Sequence, residues 1–413
     1  MLAKVAIGGP TTFFPTLLTI ALLLLAAIAV AELIARWWFR VQDKYRLWKP
    51  YCREEFGLVP GAFPKCPSPV RFIVNSDGER GSEVPRNAPM LYRVLVAGGS
   101  AAESYILDQE ASWPIVLQRI LERPENLKRL GASHVHVGNI GKSGVGAELL
   151  DFILQRVLRR MDRLDVIMIM VGASDALHWL HEGAPPTPFR PSTADTNMND
   201  VFGWHPLGPF RLRLRETALT EVVRRIHRVV MRPVWRHKDI GGSVLRAGTM
   251  RENAEEVRTE VPHPEIAVDN FEVYFRKALK TAQAKTDRLI VVRQPWLANP
   301  PRGEEQRWHN LIHGAVGNVF QKEVKVFYST EVVCKIQELI DQRAVRVAQE
   351  LGVECCDLRS MIEPTFNSYY DLYHFTPGGA AAAADIVAKV VLHEEYSVVS
   401  AVSPDLSQTA GSL

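Results

Sequence analysis

Cysteine is scarce and carries no pattern. The 413 residues hold five, Cys52, Cys66, Cys334, Cys355 and Cys356, with no Cys-x-x-Cys among them. An odd count at low density excludes a disulfide-stapled fold and a thiolate metal finger. Cys355 and Cys356 are adjacent in an apolar run and read as strand filling, while Cys52 and Cys66 are the pair an oxidising compartment could join. Charge of one sign is also missing: 49 Lys and Arg stand against 46 Asp and Glu, a formal net charge of +3. No global attraction to a polyanion follows, so no nucleic-acid partner is expected.

Several signatures are absent at the one position that would complete them. The stretch "GNIGKSG", residues 138–144, has the Gly-Lys-Ser core of a phosphate loop. Such a loop also needs a glycine five residues earlier, where the chain curls to converge its N–H groups on phosphate. That place is taken by His136, so nucleotide binding is disfavoured and the stretch needs another explanation. "HNLIH" sets His309 and His313 one helical turn apart but lacks the Glu of His-Glu-x-x-His and a third ligand. No metal and no cofactor are expected from it. His134 and His136 alternate along a strand, and His178 and His181 sit where they could line a pocket. Ser100 is followed two residues later by Ala102, so the Gly-x-Ser-x-Gly elbow of the α/β-hydrolase fold is not formed.

What is present begins with one long apolar run. No charged residue occurs from Thr11 to Ala31, and about twenty such residues span a bilayer as a helix. A cleaved signal peptide would want small residues after the run, yet Trp37, Trp38 and Phe39 follow it. Residues 1–40 therefore read as a single-pass membrane anchor. Arg36, Arg40, Lys44, Arg46 and Lys49 come next, a bias that by itself would hold the following domain in the cytoplasm.

Residues 41–90, rich in proline and glycine and containing "NSDGERG", read as a connecting segment. A regular alternation then starts. "RVLVAGG", "VHVGNI", "LDVIMIMVG", "RLIVVRQPW" and "VECCDL" read as strands, and "WPIVLQRILE", "AELLDFILQRVLRRM" and the stretches near 271–284 and 331–351 as helices. "TPGGAAAAADIVAKVVL" closes the series as a helix, with Thr376 as its N-cap and Pro377 at its first position. Continuous apolar strands alternating with helices predict βαβ units and a parallel sheet covered by helices on both sides, over residues 91–395. The rhythm breaks at about 176–268, an insertion with the arginine-rich stretch "RLRLRETALTEVVRRIHRVVMRPVWRHK". A solvated helix is the plain reading of it, and an anionic membrane surface would also suit it. Residues 396–413 read as a disordered tail, and no internal repeat is visible.

In an open parallel sheet ligands sit at the carboxyl ends of the strands. After the first strand comes "GGSAAES", with Ser100 opening a helix; after the last comes "YYDLYHFTPGG", with Asp371 three residues before His374. A carboxylate at that spacing can fix an imidazole tautomer so that the other nitrogen takes a proton from a serine. Ser100, Asp371 and His374 would meet at one edge of the sheet.

With these residues the chain resembles the SGNH, or GDSL-like, hydrolases over most of 93–392 outside the insertion. "AGGSAAES" is similar to that family's first block, "NIGKSG" to its second, "GASD" to its third and "DLYHFTPGG" to its fourth; "DGERG" resembles an upstream Gly-x-Arg-Gly of some membrane-tethered members. The resemblance implies a three-layer α/β/α sandwich around a parallel, flavodoxin-like sheet, and a serine hydrolase cleaving an ester-linked acyl group from a small-molecule, glycan or lipid substrate. Ser100 would be nucleophile, His374 general base and Asp371 its orienting partner. The N–H groups of Ser100 and Gly144 would be oxyanion donors, with Ser174 standing where the family carries Asn. O-acyl transfer on the identical triad is one alternative, and the Ser174 departure leaves another, a non-catalytic carbohydrate- or lipid-binding role. Resemblance to tethered members acting on envelope acyl groups implies an extracytoplasmic domain, against the charge bias.

Overall fold

The computed structural model of the chain describes residues 10–41, 44–187, 197–206, 217–230 and 239–393. They form two compact units, Met1–Tyr45 with His205–Val234, and the remainder.

In the first unit the helix Pro10–Val41 contains Pro15–Phe39, a stretch with a mean hydropathy of 2.7 that is long and apolar enough to cross a membrane. Glu32 interrupts its apolar surface. That carboxylate pairs with Arg36 at 2.7 Å and accepts the N–H groups of Ala218 and Leu219, both at 2.9 Å. It thereby satisfies donors left free at the start of the helix Ala218–Val230. This helix lies in the arginine-rich stretch, and its Val223 and Ile226, three residues apart, are exposed.

The second unit is built on strands β1 (Arg53–Phe56), β2 (Val70–Ile73), β3 (Leu91–Gly98), β4 (His134–Asn139), β5 (Leu164–Met170), β6 (Glu256–Arg258), β7 (Thr286–Val292), β8 (Val326–Tyr328) and β9 (Glu354–Cys356). Five of them make one parallel sheet in the order β4-β3-β5-β7-β9. Counted along the sheet alone this is 2-1-3-4-5, the flavodoxin-like order, whose direction reverses between β3 and β5. Val94 to Ala97 of β3 and Val166 to Met170 of β5 are buried on both faces, the cause of their unbroken apolar sequence. The helices Ala147–Val157, Glu265–Gln283 and Thr330–Glu350 pack in series on one face. Trp113–Leu121 and Pro377–Val391 pack together on the other, as right-handed crossovers require. The three-layer α/β/α expectation is met, and the Thr376 hydroxyl caps its helix by accepting from the Gly379 N–H at 3.2 Å.

Two stretches differ from the sequence reading. Residues 46–90 are part of the α/β unit: β1 and β2 pair antiparallel, and Phe56, Val70, Phe72 and Val74 form a buried cluster with Tyr105 and Ile106 against it. The 176–268 insertion is divided. Residues 205–234 group with the apolar helix, whereas Ile240 bridges to Leu58, the helix Gly242–Glu252 buries Ala247 and Arg251, and β6 pairs in parallel with β8. Cys355 and Cys356 lie in β9 as read, and all five cysteines are free thiols, Cys52 and Cys66 included. The expected tail, 396–413, falls outside the described residues.

Candidate active site

The end of β3 turns into the four-residue helix Ser100–Glu103. The turn is tight because Gly98, at φ +154°, passes so close to the end of β5 that a β-carbon there would collide with the Met170 carbonyl oxygen. Ser100 therefore emerges beside the β3/β5 reversal point, where such sheets open a crevice.

The loop after β9 returns over the carboxyl ends of the strands, crossing β7 and β5 to reach Ser100. It is held on the way by the Leu297 N–H donating to the Leu372 carbonyl at 2.8 Å and the Tyr370 N–H donating to the His374 carbonyl at 3.0 Å. Its tip presents His374, with Nε2 2.7 Å from Ser100 Oγ and Nδ1 2.8 and 2.9 Å from the Asp371 carboxylate oxygens. Asp371 Oδ1 also accepts the N–H groups of Tyr373 and His374, both at 2.9 Å. The Tyr370 ring stacks on the His374 ring at 5.5 Å and 9°. Burial disfavours the charge of both groups, but each holds the other: Asp371 sits well below the carboxylate range and His374 above the ordinary imidazole value. A hydroxyl, an imidazole and a carboxylate in this line can pass a proton away from the hydroxyl oxygen.

Gly144 and Ser174 frame the same point. The loop 141–145 is tied to the turn by the Lys142 N–H donating to the Gly98 carbonyl at 3.0 Å and the Ser143 N–H donating to the buried Glu103 carboxylate at 2.5 Å. Gly144 has φ +79°, and a β-carbon there would meet nothing, so its glycine is demanded by backbone conformation and not by crowding within the chain. Its N–H donates to nothing among the described residues. Ser174, in the helix Ala173–His181, is 9% exposed, and its Oγ lies 3.5 Å from where a Gly99 β-carbon would be. The neighbouring Asp175 is buried, accepts the Ala147 N–H at 2.8 Å, and is pushed up by burial to about 7.

Lys142, the lysine of "GKS", points away from any phosphate position. Its ammonium donates to the carbonyls of Asp200 and Val201, both at 2.7 Å, and lies 5.6 Å from the Trp48 ring. His136, the residue that breaks the phosphate-loop pattern, is wholly buried and bonds Glu79 at 2.9 Å.

The two histidines of "HNLIH" separate. His309 pairs with Glu331 at 3.0 Å near the surface. His313 points inward: its Nε2 lies 3.9 Å from Asp371 Oδ2, its ring stands edge-on to Tyr373, and burial pushes it down to about 4. His313, Asp371 and His374 offer ligand atoms within 4.8 Å of one another. Burial also lowers His178 and His181. Sequence reasoning missed the placement of His313, Glu103, Tyr370 and Arg80. Arg80, of "DGERG", is buried beneath the Ser100 turn and donates to the carbonyls of Glu103, Ser104 and Leu107 at 2.6 to 2.7 Å. Only for Arg80 was there a local signal, the motif itself.

No protein-family model matches the sequence, and no curated protein does. Among solved structures, the chain aligns with a member of the lipolytic G-D-S-L family from Veillonella parvula at 9% identity, covering 73% of this chain and 97% of that one with a TM-score of 0.38. It also aligns with an acetylxylan esterase from Geobacillus stearothermophilus at 12% identity, covering 73% and 93% with a TM-score of 0.36.

Proposed function

We propose that this protein is a membrane-anchored serine hydrolase of the SGNH type that cleaves an ester-linked acyl group. The observation that carries the reading is the unbroken line Ser100 Oγ, His374, Asp371 at 2.7 and 2.8 Å, assembled at the sheet's reversal point from segments 274 residues apart. It agrees with the four sequence blocks by which the chain resembles those hydrolases. In this mechanism Asp371 holds the proton of His374 on Nδ1, leaving Nε2 free to accept from Ser100 as Oγ attacks the ester carbonyl carbon. The carbonyl oxygen becomes an oxyanion, met by the N–H groups of Ser100 and Gly144 and by the Ser174 hydroxyl. The Gly144 N–H, without an acceptor among the described residues, is the donor the loop keeps for it. Collapse breaks the ester C–O bond, the alkoxide leaves with the proton from His374, and water repeats the sequence on the acyl-enzyme.

Acyl transfer uses the same residues with an acceptor hydroxyl in place of that water, and product analysis with an added sugar acceptor separates the two. A binding-only role is opposed by the intact triad. The decisive experiment is labelling with a fluorophosphonate probe. The wild type labels and Ser100→Ala does not; a wild type that never labels sinks the hydrolase reading. Because only neutral His374 can accept the proton, the labelling rate rises with pH through the His374 titration. That titration is displaced upward by Asp371, so the midpoint of the acid limb lies above 6.5.

A further inference from the structure

His313 is not used by this mechanism. Its Nδ1 is buried without a hydrogen-bond partner, and its Nε2 lies 3.9 Å from the Asp371 carboxylate, too far for a hydrogen bond. Leaving a buried imidazole in that condition costs stability. The chain nonetheless builds its position with care: the buried guanidinium of Arg251, from the 176–268 stretch, donates to the carbonyls of His309 and His313, each at 3.3 Å, and of Tyr328 at 2.6 Å, fixing the loop that aims His313 inward.

We infer that His313, Asp371 and His374 form a zinc site whose occupancy switches the triad off. This rests on the reading of those last two residues as catalytic. The donors are two imidazole nitrogens and one carboxylate oxygen, within 4.8 Å of one another. That is the ligand set of a three-residue zinc site with its fourth position open to water; such a site needs His313, 3.9 Å from Asp371, to move in and the Asp371–His374 contact of 2.8 Å to open around the ion. His313 aims Nε2 toward the Asp371 carboxylate, and the donor set joins two imidazole nitrogens to one carboxylate oxygen. Zinc at His374 Nδ1 displaces the proton held there. A neutral imidazole then carries its one proton on Nε2, which donates to Ser100 Oγ and can no longer accept from it. If His374 was protonated beforehand, the second proton goes to solvent. Either way the base is lost without any covalent change. The Nδ1 of His313 has no supporting acceptor, and ligands lacking such support bind zinc about ten- to a hundredfold more weakly. The ion is therefore a reversible inhibitor, removed by a chelator, and no part of the catalytic cycle.

The test uses the full chain in detergent micelles, stripped with EDTA. Calorimetric titration with zinc chloride is expected to give one ion per chain, fluorophosphonate labelling to fall in step with occupancy, and EDTA to restore it; magnesium chloride is expected to do neither. His313→Gln is expected to weaken zinc binding at least tenfold, and Asp371→Asn, which keeps the side-chain volume, provides the second variant should the first fail to fold. Absence of one-to-one binding, an affinity unchanged in both variants, or labelling that persists at full occupancy overturns the inference. If the zinc-free wild type never labels, the hydrolase reading fails instead, and the calorimetry still decides whether the site binds zinc.

Discussion

Ser174 is the residue at which this chain departs from the hydrolases it resembles. An asparagine amide would offer two donors at the end of a longer arm; the serine hydroxyl offers one, on a shorter arm, that rotates among acceptors. Its position beside Gly99 nevertheless puts that hydroxyl next to the nucleophile turn. Removal of a single oxyanion donor costs about 10²- to 10³-fold in rate. Ser174→Ala is therefore expected to lower kcat on a p-nitrophenyl ester by about 10²-fold with little change in KM. A kcat left intact would take Ser174 out of the oxyanion hole and leave the two backbone N–H groups to do the work. The same scale explains why His313 was not legible. It stands 58 residues before Asp371, its sequence neighbours suggest a partnership with His309, and nothing local announces that Arg251 turns it toward the triad instead.

Among the elements, the segment from β1 to Gly81 shows how a stretch that reads as a tether can be structural. "REEF" and "VRFI" are four residues each and sit among prolines and glycines, too short for periodicity to separate from loop. They fold because Phe56, Val70, Phe72 and Val74 bury one another, and they deliver Arg80 beneath the nucleophile turn. Arg80→Lys keeps the charge but loses the planar fork that reaches three carbonyls at once. Buried groups left unpaired cost about 1–3 kcal/mol each. The expected loss is about 3 kcal/mol or more, seen as a lower Tm and a slower labelling rate in the protein still folded; an unchanged melt would show that the turn holds without it. The central strands, by contrast, were legible from sequence because β3 and β5 are buried on both faces and read as apolar runs. The alternation with helices implied that the sheet is parallel, and its order was legible only through the family resemblance. The division of the 176–268 insertion was not, since β6 and β8 are three residues each and pair across the 67 residues from 259 to 325.

For the whole molecule, the basic residues after the apolar helix of the proposed anchor favour a cytoplasmic α/β unit, but large domains cross regardless of such charges, and the resemblance to membrane-tethered hydrolases favours the outside. A C-terminal alkaline phosphatase fusion to the full chain is expected to be active, and a green fluorescent protein fusion at the same point active only if the assignment is inverted. The route of the loop after β9 adds a consequence in time. A ribosome makes Ser100 long before His374, and β7 and β9 must both be docked before that loop has a floor to cross. Under the proposed mechanism a half-made chain thus carries a serine that is chemically ordinary, and its reactivity would arrive only once the segment that leads into the helix Pro377–Val391 has docked.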